Sequence, residues 1–420
     1  MIILISIMFL LFFIINFSVY KKVMNYVNVF LLLWCSVSIL SSFGFYELYT
    51  PTTLTYIYIF IAMIVFELFS LIFYTTKSKR CIKNTSNVNI NWKKINIISL
   101  ICTLILVPFV LKGINIILTF GFHSLRELGF TDSLYTTTEK LILINIIQPL
   151  ILSISIISMI EFIYKRKLRL SLITSIVNCL FYILVFAGRW ILLELILLAG
   201  IILYDRYRGN ILKLIKENKL IFVMIVFLLI IMMNITNKRS VKGGDGLIYN
   251  IYIYFVGGIH LLGRYLADPQ IYQLTSEHML YGQEFFSGIL TPFIIILNLF
   301  GMNLKSGIEI INEVTQQFIF VSPKSLMNNN CTMIYAFLRD FGILGLIIGP
   351  MILAYIYNKA YKYKSKSTNV YTKGYYYYCL SIMPFLLFEW MPARTSIVMI
   401  PIMIYILTGK LFGKRKKIGV

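Results

Sequence analysis

At 420 residues, with 59% of them apolar, 13% charged and a mean hydropathy of +0.82, the chain lies far outside the range of a soluble globular domain. A net charge of +22 would suit a nucleic-acid partner, but about 27 of the 39 Lys and Arg fall in connections on one side of the apolar runs and about 11 on the other. That one-sided enrichment is the positive-inside signature of a polytopic membrane protein, whose natural partners are anionic lipids and not nucleic acid.

Apolar runs of membrane length recur near 2–20, 26–45, 55–75, 95–120, 141–164, 170–186, 190–204, 219–236, 341–357, 375–390 and 395–411. A bilayer-crossing helix needs about 20 such residues, so the pattern predicts an all-α integral membrane protein with about 11–12 transmembrane helices in a single domain. The first run lacks a basic start and is followed by Lys21-Lys22 instead of small residues, so it reads as a helix and not a cleavable signal peptide. Basic clusters follow each odd-numbered run: Lys21-Lys22, Lys77 to Lys94, Lys165–Arg169, Arg206 to Lys219, Lys359 to Lys373 and Lys410 to Lys417. Assigned to the cytoplasm, they put the N-terminus outside and the C-terminus inside.

The segments 46–54, 121–140, 187–189, 237–340 and 391–394 are then external. The fourth is a polar stretch of about a hundred residues, far longer than a connection needs to be. Two weaker apolar stretches interrupt it, Leu247–Leu262 and Phe285–Phe300. Gly257-Gly258 with His260 in the first, and Pro292 in the second, predict interfacial or re-entrant helices. Trp190 and Trp390 fall at the proposed outer boundary, where indoles commonly sit. Of the six cysteines only Cys331 lies in the long external segment, so no disulfide is predicted there.

Chemistry is sought on the external face. Arg189, Arg264, Arg339 and Arg394 all lie there, each at a helix end or near an apolar stretch. A guanidinium is planar, permanently charged and suited to bidentate contact with phosphate, so the set predicts a lipid pyrophosphate site; each taken alone would equally reach for headgroups. If 257–268 is helical, His260 and Arg264 lie one turn apart on one face, which makes His260 a candidate base. Asp268, Glu277, His278 and Asp340 are others, and spacing does not rank them. Among buried acids, Glu194 is expected either to pair with an external arginine or to stand as a structural group, and Glu67 is left open. No Gly-rich GK[ST] loop is present, and no His/Cys/Glu spacing suggests zinc. The first external loop has one Glu and no Asp. The acidic metal-binding pair that many lipid-linked-sugar glycosyltransferases carry there is missing, so no cofactor or metal is predicted.

Three places carry a resemblance: Ala187-Gly188-Arg189-Trp190 opening a helix; the large external segment; and Asn330-Cys331-Thr332 leading to Arg339-Asp340-Phe341-Gly342-Ile343-Leu344-Gly345. With them the chain resembles the Wzy-type polymerases of O-antigen, capsule and exopolysaccharide repeat units. That family is usually described with about twelve spans and both ends inside, against the eleven counted here. The resemblance implies a GT-C-like architecture in a bacterial inner membrane, with the active face periplasmic or extracellular. It also implies a metal-independent glycosyltransferase that moves the growing glycan from undecaprenyl diphosphate to the non-reducing end of an incoming lipid-linked unit. Arg189, Arg264, Arg339 and Arg394 would hold the pyrophosphate, and His260, Asp268 or Asp340 would act on the acceptor. Tyr249, Tyr252, Tyr254 and Tyr265 offer faces for sugar rings or for the membrane interface. A chain-length regulator and a flippase of the same pathway are the implied protein partners. The alternatives are an O-antigen ligase, which shares the architecture, and a flippase or transporter of the same lipid-linked unit. A transporter would be expected to keep short loops and polar groups deep in its bundle.

Overall fold

The computed structural model describes residues 1–76, 89–130, 133–207, 210–239, 247–323, 325–328, 331–367, 369–409 and 413–414. Most of the basic connection from Lys77, the tail after Gly409, and Asn330 lie outside the described residues. The protein is helical throughout, with only two two-residue antiparallel ladders, Asn89–Ile90 with Gly413–Lys414 and Ile319–Phe320 with Leu326–Met327, among the described residues. In chain order the helices are α1 (Ile2–Tyr20), α2 (Tyr26–Ser42), α3 (Thr53–Thr75), α4 (Trp92–Phe130), α5 (Thr137–Ile142), α6 (Gln148–Lys165), α7 (Leu170–Phe186), α8 (Trp190–Tyr207), α9 (Ile211–Glu217) and α10 (Lys219–Arg239). There follow α11 (Leu247–Ala267), α12 (Ser287–Leu299), α13 (Gly307–Thr315), α14 (Thr332–Phe341), α15 (Gly345–Lys366), α16 (Val370–Ile382) and α17 (Thr395–Thr408).

Among the described residues five stretches are long and apolar enough to cross a membrane: Ile2–Tyr20, Thr53–Thr75, Trp92–Phe122, Thr137–Lys165 and Thr332–Lys366. This is an all-α membrane protein. A helix lies over each of the eleven predicted runs, because only a continuous helix satisfies the backbone of an apolar stretch in lipid. Their starts are set locally. Asn25 accepts the amides of Val27 and Asn28, Thr52 accepts that of Thr55, and Thr136 with Glu139 forms a capping box. The tenth run departs from expectation. Pro384 cannot continue an α-helix, so α16 stops at Ile382 and the chain goes on as a 3-10 turn over Met383–Leu387. A π turn over Leu143–Ile147 joins α5 to α6.

The chain divides into two compact units. The first comprises Met1–Cys81, Gly246–Lys362 and Ile382–Val398; the second comprises Ile82–Asp245, Tyr363–Ser381 and Met399–Val420. In the first, α1, α2 and α3 pack on one another, and α11 lies against α2, α3 and α14. Lipid tails are as apolar as leucine, so close packing and hydrogen bonds carry such contacts. Phe30 stacks on Phe66 at 3.9 Å between centroids, and Asn16 Nδ2 donates to Glu67 Oε2 at 3.0 Å. In the second unit α7 lies along α4 and α6, α8 packs on α6, and α10 meets α4 and α8.

The segment read as one long external connection is itself largely structured. It supplies α11 to α14 and most of the short ladder at 319–327, all in the first unit. Of its two apolar stretches, α11 is buried along its second half, whereas α12 keeps Ile289, Phe293, Ile296 and Leu299 exposed.

Candidate functional site

The densest polar cluster of the first unit forms where the chain turns at the end of α14. Gly342 has φ +57° and ψ −145°, a conformation essentially closed to side chains with a Cβ, and it ends the helix abruptly. The carbonyls freed there are taken by a passing segment: Leu280 N donates to Arg339 O at 3.1 Å and Tyr281 N to Asp340 O at 3.0 Å. The Asp340 carboxylate then accepts the amides of Glu284 (3.2 Å) and Phe285 (2.5 Å). Asp340 is therefore a clasp that fixes residues 280–285 against α14. Gly307 completes the hold from the other side, since a Cβ there would lie 2.2 Å from Gln283 O.

The segment so fixed carries Glu284. Its side chain is 4% exposed, and Oε2 has no hydrogen-bond partner among the described residues. It lines a narrow cleft of about 20 Å³ with Cys331, Thr332, Tyr335, Glu389 and Trp390. Burial, then the charges of Asp340 and Glu389, push the Glu284 carboxyl up to about 8, and Arg394 and Arg339 only partly offset them. Trp390 seals the floor: it stacks on Phe285 at 4.6 Å, donates Nε1–H to Phe285 O at 2.9 Å, and is only 2% exposed. Sequence placed this indole at the bilayer boundary; the structure makes it a core residue. Thr332, on the cleft wall, holds φ +66°, an unfavourable conformation for a β-branched residue that marks the turn as over-determined by its surroundings.

Two arginines belong to this cluster. Arg394 makes a bidentate pair with Glu389, Nε to Oε1 at 2.5 Å and Nη2 to Oε2 at 2.8 Å. Arg339 is 2% exposed; Nη2 donates to Gln273 Oε1, while Nε and Nη1 have no partner among the described residues. A buried guanidinium with two idle donors is costly and is ready to meet an anion. Gln273 in turn lines a second cleft, of about 160 Å³, with Tyr272, Glu313 and Gln317.

The other predicted residues lie elsewhere. His260 is 1% exposed and donates Nδ1–H to Tyr49 O at 2.7 Å, which leaves Nε2 unprotonated, buried and unpartnered among the described residues. Arg264 is exposed one turn on, its guanidinium 5.7 Å from the Tyr49 ring centre, so the one-turn spacing does bring both side chains to Tyr49. Asp268 is exposed just past the end of α11, and Glu277 and His278 form a short 3-10 turn. Arg189 lies in the second unit, half-buried at the entry to α8. Among the described residues Glu194 pairs with no arginine; Ser381 Oγ donates to its Oε1 at 2.5 Å. Tyr265 is core, stacked on Tyr272 at 4.3 Å, while Tyr249 and Tyr252 group with Tyr46.

Sequence reading passed over Glu284 and Glu389. The available signal was Glu389-Trp390 five residues before Arg394, and Glu284 placed at the mouth of an apolar stretch. Among the described residues no three His, Cys, Asp or Glu side chains group to hold a metal ion. No family model, no curated protein and no solved structure matches the chain, so function is argued from this site alone.

Proposed function

We propose that the protein is a glycosyltransferase of the inner membrane that polymerises lipid-diphosphate-linked oligosaccharide units, with its chemistry in the cleft beside α14. The observation that carries this reading is the pairing, around the Arg339–Gly345 turn, of a buried arginine with idle donors and a buried carboxyl with a bare oxygen. Transfer from a lipid diphosphate needs two services. Negative charge grows on the departing pyrophosphate, which preorganised guanidinium donors stabilise. A proton leaves the acceptor hydroxyl, which a positioned carboxylate receives. Because the leaving group is already activated, neither nucleotide nor metal is required.

On this reading the segment 237–340 faces the outside and Arg339 meets the pyrophosphate. The Glu389–Arg394 pair is a second contact, open to exchange one carboxylate for a phosphate. The single-domain and helix-count expectations do not enter the chemistry; the turn and its clasp do. A strain lacking the protein should lose long glycan chains while single repeat units remain attached to their final acceptor, as read on an electrophoretic glycan ladder. Loss of all attached glycan would instead favour a ligase or a flippase and overturn the polymerase reading. Cysteine labelling that finds Lys305 on the cytoplasmic face would overturn the assignment of the site to the outer face.

A further inference from the structure

The groups facing Glu284 are Asp340 and Arg339 from α14, Cys331 just before it, and Glu389 and Arg394 from the turn before α17. Each candidate proton acceptor in this unit can be compared with it. Asp340 spends its carboxylate on two backbone amides. Glu389 is held bidentately by Arg394. His260 does not line this cleft, and Asp268 is exposed past the end of α11. Glu284 alone among these lines the cleft with an oxygen that nothing occupies. Its backbone is also the best held, by the Asp340 clasp and by the close approach of Gly307.

We infer that Glu284 is the catalytic residue that takes the proton of the acceptor hydroxyl during glycan transfer, with Asp340 as its positioning residue. This rests on the polymerase reading. In the step, the acceptor oxygen forms its bond to the anomeric carbon of the donor glycan as its proton passes to Glu284 Oε2. The bond from that carbon to the pyrophosphate oxygen breaks, and its electron pair leaves with the lipid diphosphate. The Glu284 proton is afterwards lost to solvent through the cleft, so no other reactant is consumed. An enclosed carboxylate flanked by two others is a stronger base than one in water, which suits it to a sugar hydroxyl. The same arrangement explains why the buried acid is left without a donor: a hydrogen bond to Oε2 would stabilise the carboxylate and weaken it as a base.

The test uses purified full-length protein and the lipid-linked repeat units that accumulate in the deletion strain, with elongation read as polymer length over time. The wild type is expected to elongate them with a rate that rises with pH to a midpoint near 8. Glu284→Gln is expected to lower turnover by about 10²–10⁴-fold, flatten that rise and leave the KM for the unit unchanged. A wild type that elongates beside a Glu284→Gln variant of normal rate would overturn the Glu284 assignment and leave the polymerase reading standing. A wild type that binds the units without joining them would overturn the polymerase reading and the assignment together. Should Glu284→Gln fail to fold, Glu284→Asp decides: the pH rise kept at a reduced plateau supports the role, and a wild-type plateau removes it.

Discussion

Glu284 in the first unit is a buried acid and Asp205 in the second a half-buried one, and the protein equips them in opposite ways. Asp205 accepts hydrogen bonds from Tyr164 (2.9 Å) and Tyr377 (2.7 Å) and a third from Lys364 Nζ, while Lys373 lies 3.8 Å from the Tyr164 ring centre. Every donor in reach is spent on it, and the cluster ties α6 and α8 to the chain on either side of the turn before α16. Glu284 has a cleft in front of it and no donor on Oε2. A carboxylate saturated with donors holds helices together; one deprived of them costs stability and is positioned to react. The same contrast separates Arg339, with two idle donors, from Arg166, which spends its Nη atoms on Asn218, Tyr207 and Glu217.

The largest effect that sharpens the contrast is expected at Arg339. Arg339→Ala should lower elongation by about 10²-fold or more per folded molecule, and Arg339→Lys should restore only part of it, because an ammonium lacks the planar pair of donors. Measured turnover within a few-fold of wild type in both variants would place Arg339 with the structural charges. Next comes Asp205→Asn, expected to cost about 3 kcal/mol of stability, since it leaves Lys364 paired to no charge, while turnover per folded molecule stays near wild type. Thermal unfolding in detergent together with specific activity separates the two. A rate loss without a stability loss would erase the distinction between the two acids.

Gly307→Ala tests the clasp. Its Cβ would collide with the Gln283 carbonyl and push residues 283–284 off α14, for a loss of about 1–3 kcal/mol together with reduced turnover. Unchanged stability would show that the approach of α13 does not hold Glu284. The smallest expected effect is the pH dependence of stability. The folded protein raises the Glu284 carboxyl from its ordinary value of 4.5 to about 8, so it favours the protonated form. Between those two values the native state binds more protons than the unfolded chain, and stability falls as pH rises; above about 8 the loss is complete. Glu284→Gln removes the titration, so its Tm relative to wild type should climb by a few degrees, about 2–8 °C, from pH 5 to pH 9. A constant difference across that range would mean that Glu284 ionises as freely in the fold as in water.

Much of this architecture was legible in the sequence, for a physical reason. A bilayer forces each crossing segment to be a long apolar helix, so the apolar runs show where helices lie, and the one-turn spacing of His260 and Arg264 holds in α11, where both side chains reach Tyr49. The Arg339–Gly345 pattern coincides with the turn that ends α14. What it did not disclose was the partner. Asp340 clasps amides 55 and 56 residues earlier in the chain, a pairing that no local periodicity encodes. Glu284 was hidden for the same reason, since nothing about a lone Glu at the edge of an apolar stretch shows that two other carboxylates will close on it. The packing of Trp390 was also hidden, because an indole at the end of a membrane run does not show that Phe285 and Phe337 will enclose it. Within the long external segment the two apolar stretches were legible as helices, whereas α13 and α14, of 9 and 10 residues, are too short to show as apolar runs.

The most direct test is the glycan ladder of a deletion strain complemented in parallel with the wild type, Glu284→Gln and Asp205→Asn, each matched for membrane abundance. Long chains are expected from the wild type and from Asp205→Asn, and single units alone from Glu284→Gln. A full ladder from Glu284→Gln, or no ladder restored by the wild type, would contradict the placement of glycan polymerisation in the cleft beside α14.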